Sequence, residues 1–273
     1  MLQQVEVRSP LGALLTLPLG DTSSGIYIKE VGGLDPVKAT LVTSSFAGED
    51  GEQYHTMRRE PRDVTLKLGL EPDYAVTTVR GLRAQLYNYF MTGAPVNLRF
   101  YESDGLIVQI DGRVETCTAP QFTQEPEMEV SIHCFKPDLL EMGNVGVNGT
   151  TVSSDTSIQI DYEGSVETGI NFKLLVDRDM SDFTIYHSPA DGSLRTLEFS
   201  AALVNGDVVE INTSKGNKYV TLNHAGGQSG ILRAVSPQSN WIELQPGPNQ
   251  FRVYTTSAGV PWQMTYLPRH GAL

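Results

Sequence analysis

Cysteine is nearly absent: Cys117 and Cys134 are the two thiols in 273 residues. Two cysteines cannot lay out a disulfide framework, and without histidine help they cannot form a structural zinc site. Histidine is scarce and scattered, at His55, His133, His187, His224 and His270, with no two placed four apart on a helix. His133 directly precedes Cys134 on a stretch that alternates as a strand, so their side chains point to opposite faces and cannot share a ligand. Both cysteines read as small buried apolar residues. Long apolar runs are missing too. No stretch approaches the roughly 18–20 residues that cross a bilayer. The opening MLQQVEVRSPLGALLTLPLG has no basic segment ahead of its apolar patch, which Pro18 and Gly20 interrupt; it reads as strand and turn rather than a secretion signal. The sequons at Asn148-Gly149-Thr150 and Asn212-Thr213-Ser214 are then chance matches. The expectation is a soluble protein, made and assembled in a reducing cytoplasm, with no membrane association.

Positive charge is in short supply. Lys and Arg total 20 against 32 Asp and Glu, a formal net charge of −12. Gripping a phosphate backbone or an anionic lipid surface works by neutralising it with Lys and Arg, so both are disfavoured. The deficit is spread along the chain: residues 1–139 carry 12 basic and 19 acidic side chains, residues 140–273 carry 8 and 13.

Catalytic constellations are lacking as well. Asp177-Arg178-Asp179-Met180-Ser181-Asp182 opens like a calcium loop, but Asp182 stands at the glycine position and Ser188 where the bidentate Glu belongs. Gly226-Gly227-Gln228-Ser229-Gly230 fails as a nucleophile elbow, because Ile231 stands where the last glycine is required. No phosphate loop or dinucleotide fingerprint is present. A glycoside hydrolase would need two carboxylates roughly 5–10 Å apart in a cleft, which sequence alone does not reveal. The expectation is no enzyme activity, no cofactor and no metal.

What is there is β-structure. The 26 glycines and 15 prolines punctuate the chain about every 8–12 residues, the rhythm of a β-rich fold. Between them, Val64 to Leu68, Val96 to Phe100, Leu106 to Ile110, Met128 to Phe135 and Gly169 to Val176 alternate apolar and polar, as half-buried antiparallel strands do. One segment departs from this period. Val79, Leu82, Leu86 and Phe90 fall on one helical face, which predicts a helix over 74–92 with Asp73 as N-cap, Gly93 and Pro95 as stop, and Arg80 and Arg83 on its other faces. A Gly- and Asn-rich stretch then marks a boundary. The reading is mainly β: a sheet carrying one α-helix at 1–138, a linker at 139–148, and an all-β sandwich or jelly roll at 149–273. Trp241 and Trp262 in the second domain are candidate glycan platforms; core packing is the competing role, and Trp241 and Ile242 must face opposite ways.

The order of features carries a resemblance. The polar loop Asp50-Gly51-Glu52, the run Arg58-Arg59-Glu60-Pro61-Arg62, the strand Val64 to Leu68, the helix and the strand Val96 to Phe100 follow one another. Then come Ile110-Asp111-Gly112-Arg113-Val114, Phe122, and a strand closing in Cys134-Phe135-Lys136-Pro137. This succession resembles the N-terminal domain of siphophage distal tail proteins. In the second half, Gly206 to Thr213, Gly216-Asn217-Lys218 and Leu244-Gln245-Pro246-Gly247-Pro248-Asn249 resemble the family's C-terminal domain. Asp138-Leu139 departs from the aromatic residue usual after the Pro137 position.

The resemblance implies a virion protein of the phage tail tip that is structural rather than enzymatic. It implies an N-terminal, β-sandwich-like ring-forming domain and a galectin-like C-terminal sandwich. The ring, commonly a hexamer, would join the tail tube protein to the tip hub and receptor-binding proteins, with DNA passing through its lumen. Arg58, Arg59, Arg62, Arg80 and Arg83 are the candidate subunit-contact residues, on the loop and helix expected near those contacts. The alternative is a carbohydrate-binding module for host recognition in residues 149–273.

Overall fold

The computed structural model describes residues 1–9, 11–48, 50–121 and 124–273, so Phe122 lies outside the described residues. The chain divides into two units: Met1–Met142 with Gly271–Leu273, and Gly143–His270.

The first unit contains β1 (Leu2–Arg8), β2 (Leu14–Pro18), β3 (Ile26–Gly32), β4 (Ala39–Ser44), β5 (Gln53–Arg59), β6 (Arg62–Leu70), α1 (Val79–Phe90), β7 (Pro95–Glu102), β8 (Ile107–Thr118), β9 (Glu127–Cys134) and β10 (Leu139–Glu141). Seven strands form an antiparallel sheet in the order β2-β1-β7-β8-β9-β6-β3, and β10 adds to β8. Its two edges meet through a bridge from Leu19 to Ile28, so the sheet curls around its core. The alternation seen in the sequence is realised: Val64, Leu66 and Leu68 of β6 face Val130 and Ile132 of β9 inside that core. Helix α1 contributes Leu82, Leu86 and Phe90 to the same core.

The helix begins later than its sequence suggests. Asp73 does not cap it: its carbonyl accepts from Val76 and Thr77, closing a separate turn, and the Thr78 hydroxyl accepts from Gly81 N as the true N-cap. Gly93, with φ of +82°, follows the C-cap Met91.

The second unit contains β11 (Val145–Thr150), β12 (Ile158–Tyr162), β13 (Thr168–Leu175), β14 (Met180–Ser188), β15 (Arg195–Leu203), β16 (Val208–Asn212), β17 (Tyr219–His224), β18 (Gly227–Gly230), β19 (Glu243–Leu244), β20 (Gly247–Tyr254) and β21 (Pro261–Tyr266). One sheet runs β11-β21-β13-β16-β17-β18 with β19 on β13; the other runs β12-β20-β14-β15. Aromatic rings join the two sheets into a sandwich. Phe172 of the first sheet lies 6.1 Å from Phe183 and 6.4 Å from Phe251 of the second, and 5.8 Å from Trp262 beside it.

Residues 139–148, read above as a linker, hold β10 and the start of β11. The last three residues do not stay with the second unit. Leu273 N donates to Leu34 O at 3.1 Å, and Leu273 packs on the first core.

Candidate functional site

The hairpin β4–β5 stands apart from both cores. It forms a two-stranded sheet of its own, and none of its described residues enters the first unit's core. Its register places Leu41 opposite Met57 and Thr43 opposite Tyr54, so these side chains share one face. Leu41 is 58% exposed, Met57 56% and Tyr54 56%. The other face pairs Val42 with Thr56 and carries a polar cluster: the Thr40 hydroxyl donates to Glu60, and Arg58 Nη2 donates to the other Glu60 oxygen at 3.4 Å. These partners hold the Glu60 carboxyl below the usual range, the Thr40 bond being the largest cause. Nearer the tip, Ser44 Oγ lies 2.7 Å from His55 Nε2. A hairpin alone is marginally stable in water, so an apolar face left bare calls for a covering surface.

The five arginines read as contact residues separate on this structure. Arg58 is exposed on the hairpin, and Arg80 is exposed on α1. Arg59 is half-buried against Asp138, with Nη1 and Oδ1 2.6 Å apart. Arg62 is a correction. It is 1% exposed, and its guanidinium donates to four backbone carbonyls: Gly33 at 2.5 Å, Asp35 at 2.9 Å, Pro137 at 2.9 Å and Gly271 at 2.5 Å. It is spent inside its own unit, and burial draws its pKa down. Arg83 is also buried and donates to Pro120 O at 2.5 Å and to Gln121. Arg62 lies two residues before the inward-facing Val64 and so shares its side of the strand. Arg83, placed above on another helical face, borders the apolar one beside Leu82 and Phe90.

The tryptophans separate in the same way. Trp262 is 2% exposed and packs on Phe172 and Phe251, so it is a core residue and not a glycan platform. Trp241 is half-buried, with the Lys218 ammonium 5.3 Å from the ring centroid, while Ile242 beside it is fully buried. The calcium-like stretch is tied up in turns: Asp177 pairs with Arg178 at 2.8 Å, and Asp179 accepts from Asn205 N at 3.1 Å. No helix among the described residues is long and apolar enough to cross a membrane.

Residues 163–270 match the family described as the siphovirus-type tail component, C-terminal domain. That match lies within the second unit and covers less than half of the chain. The fold of the whole chain matches that of the Dit protein (gp 19.1) of phage SPP1, whose crystal structure is described as a paradigm of the hub adsorption apparatus in phages infecting Gram-positive hosts. The match has a TM-score of 0.67 at 15% identity and covers 97% of this chain and 98% of that one. A chain of the phage P2 baseplate, in its activated conformation with calcium, gives a TM-score of 0.48 at 8% identity and covers 100% of both chains. None of the curated proteins matches the chain. The family match and the Dit fold both agree with the resemblance to siphophage distal tail proteins, and the mainly β fold with its single α-helix among the described residues is that of the Dit protein.

Proposed function

We propose that this chain is a distal tail protein that closes into a hexameric ring at the tip of a siphophage tail, joins the tube to the tip hub and receptor-binding proteins, and lets DNA pass through its lumen. The observation that carries the ring is the bare apolar face of the β4–β5 hairpin, Leu41, Tyr54 and Met57. A closed ring repeats one heterologous contact, so each subunit needs a projecting surface and a different receiving one. Exposed apolar residues at both ends of α1, Tyr74 and Val76 before it and Met91 after it, are candidates for the receiving side.

The charge supports passage rather than capture of DNA. A net charge of −12 repels phosphates, so a lumen lined by this chain would not hold the DNA that slides through it. The proposed two domains are a ring-forming N-terminal part and a C-terminal sandwich. The purified full chain, imaged by cryo-electron microscopy with and without its tail tube protein, tests this. The expected result is a closed ring with an open centre that shows no DNA binding in gel shifts. A chain that stays monomeric in both preparations overturns it.

A further inference from the structure

The outward face of the four-stranded sheet in the second unit carries two depressions along one line. Strand β14 turns Phe183, Ile185 and His187 into the core, so Asp182, Thr184, Tyr186 and Ser188 look outward. The first depression, about 180 Å³, lies around Tyr186, Ser188, Leu194, Gln250, Arg252 and Asp155. The second, about 360 Å³, lies around Asp182, Thr184 and Glu198, beside the turn Arg233 to Pro237. From Asp182 to Ser188 the run spans about 20 Å at ~3.3 Å per residue.

The polar groups of the first depression are fixed by one another. The Arg252 guanidinium stacks on the Tyr186 ring at 4.3 Å and pairs with Asp155. Gln250 Oε1 accepts from the Ser157 hydroxyl at 2.9 Å, and its Nε2 donates to Gln159 Oε1 at 3.2 Å. Gln159 Nε2 in turn donates to Asp161 at 2.8 Å. The Gln250 amide is thus oriented with one lone pair and one N–H to spare, a paired acceptor and donor that matches two adjacent hydroxyls. Leu194, 66% exposed at the rim, offers an apolar surface for the C–H side of a sugar ring.

The charge on this face narrows the class. Asp155, Asp161, Asp182 and Glu198 outnumber Arg252 and Arg233, so a polyphosphate or uronate chain would be repelled.

We infer that this face binds a neutral saccharide extended along β14, with Tyr186, Gln250 and Arg252 at the centre of the site. The inference goes beyond the ring reading, and the two fail separately, since ligand binding and particle size are different measurements. The test is saturation-transfer difference NMR on the full chain with glucose, galactose, rhamnose, N-acetylglucosamine and their linear oligomers. At least one is expected to bind, with oligomers tighter than monomers. Tyr186→Ala and Gln250→Ala are each expected to weaken that binding about tenfold or more at unchanged thermal stability. Gln250→Glu, a milder change, is read alongside in case the alanine variants unfold. Absence of binding across the panel overturns the inference, as does binding lost in Trp241→Ala but kept in the Tyr186 and Gln250 variants.

Discussion

The Arg62 guanidinium donates to the carbonyl of Gly271, 209 positions further along the chain, at 2.5 Å. The same group holds Pro137 O, just before the chain passes into the second unit, and Gly33 and Asp35 on the loop after β3. One buried cation therefore ties the outgoing and returning segments of the chain to the first unit.

Arg62→Ala would leave four carbonyls without their donor in a dry site. Each hydrogen bond to a charged group contributes about 1.5–3 kcal/mol, and they do not add. A loss of about 3–5 kcal/mol is expected on breaking a buried charged network. Chemical denaturation of the full chain measures it, and Arg62→Lys should recover little, since an ammonium cannot fork to four acceptors. Gly33 beside it has φ of +83°, and a Cβ there would stand 1.9 Å from Asp63 O, so Gly33→Ala should be of similar severity.

How legible this was in the sequence depends on the period. Strands such as Val64 to Leu68 and the helical face of Val79, Leu82, Leu86 and Phe90 were readable because burial follows a period of 2 or 3.6. Arg62 lies on the strand period and Arg83 at the border of the helical face, yet their charge suggests the surface; for Trp262 the core and a glycan platform are both open until the sandwich closes over it. Burial of Arg62 needs acceptors from loops distant in sequence, which no local pattern shows. The helix start was misplaced because both Asp73 and Thr78 suit a cap, and only the chain's path decides between them. The outward run on β14 carries no local signal: its polar residues look like any solvated strand face until β20 brings Gln250 and Arg252 beside them.

Burial pushes the Cys134 thiol up to about 12, and Cys117 is raised by burial as well. The thiolate is the reactive form, so Cys134 should resist iodoacetamide at pH 8 in the native chain. Mass spectrometry is expected to find Cys134 unmodified after hours and both cysteines modified in denaturant. Rapid native labelling of Cys134 would contradict its buried place at the end of β9.

His187 is buried, its Nε2 2.9 Å from Asn249 Oδ1, and burial lowers its pKa below the ordinary 6.5. The folded state thus disfavours the proton that the unfolded state takes up. Stability from this group is fully present above pH 6.5 and is lost as pH falls through the lowered value. The carboxylates with lowered pKa lose their contribution only as pH falls through and below their ordinary 3.8 and 4.5, so they add little to the loss from His187 above that range. Thermal melts should decline as pH falls from 6.5 toward 4.5, and His187→Gln should flatten the decline.

The hairpin prediction separates assembly from folding. Leu41 and Met57 face each other across β4 and β5, exposed, and touch neither core. Leu41→Asp with Met57→Asp would place two like charges opposite each other, a cost of up to about 1 kcal/mol borne within the hairpin itself. The curled sheet and its core should keep their melting temperature. If this face seats on a neighbouring subunit, the same charges would have to be desolvated there, which costs far more. Analytical ultracentrifugation should therefore show the doubly substituted chain as a monomer under conditions where the parent chain assembles. An unchanged assembly at unchanged stability would place the subunit contact elsewhere, and would leave the apolar face of the hairpin to another tail protein.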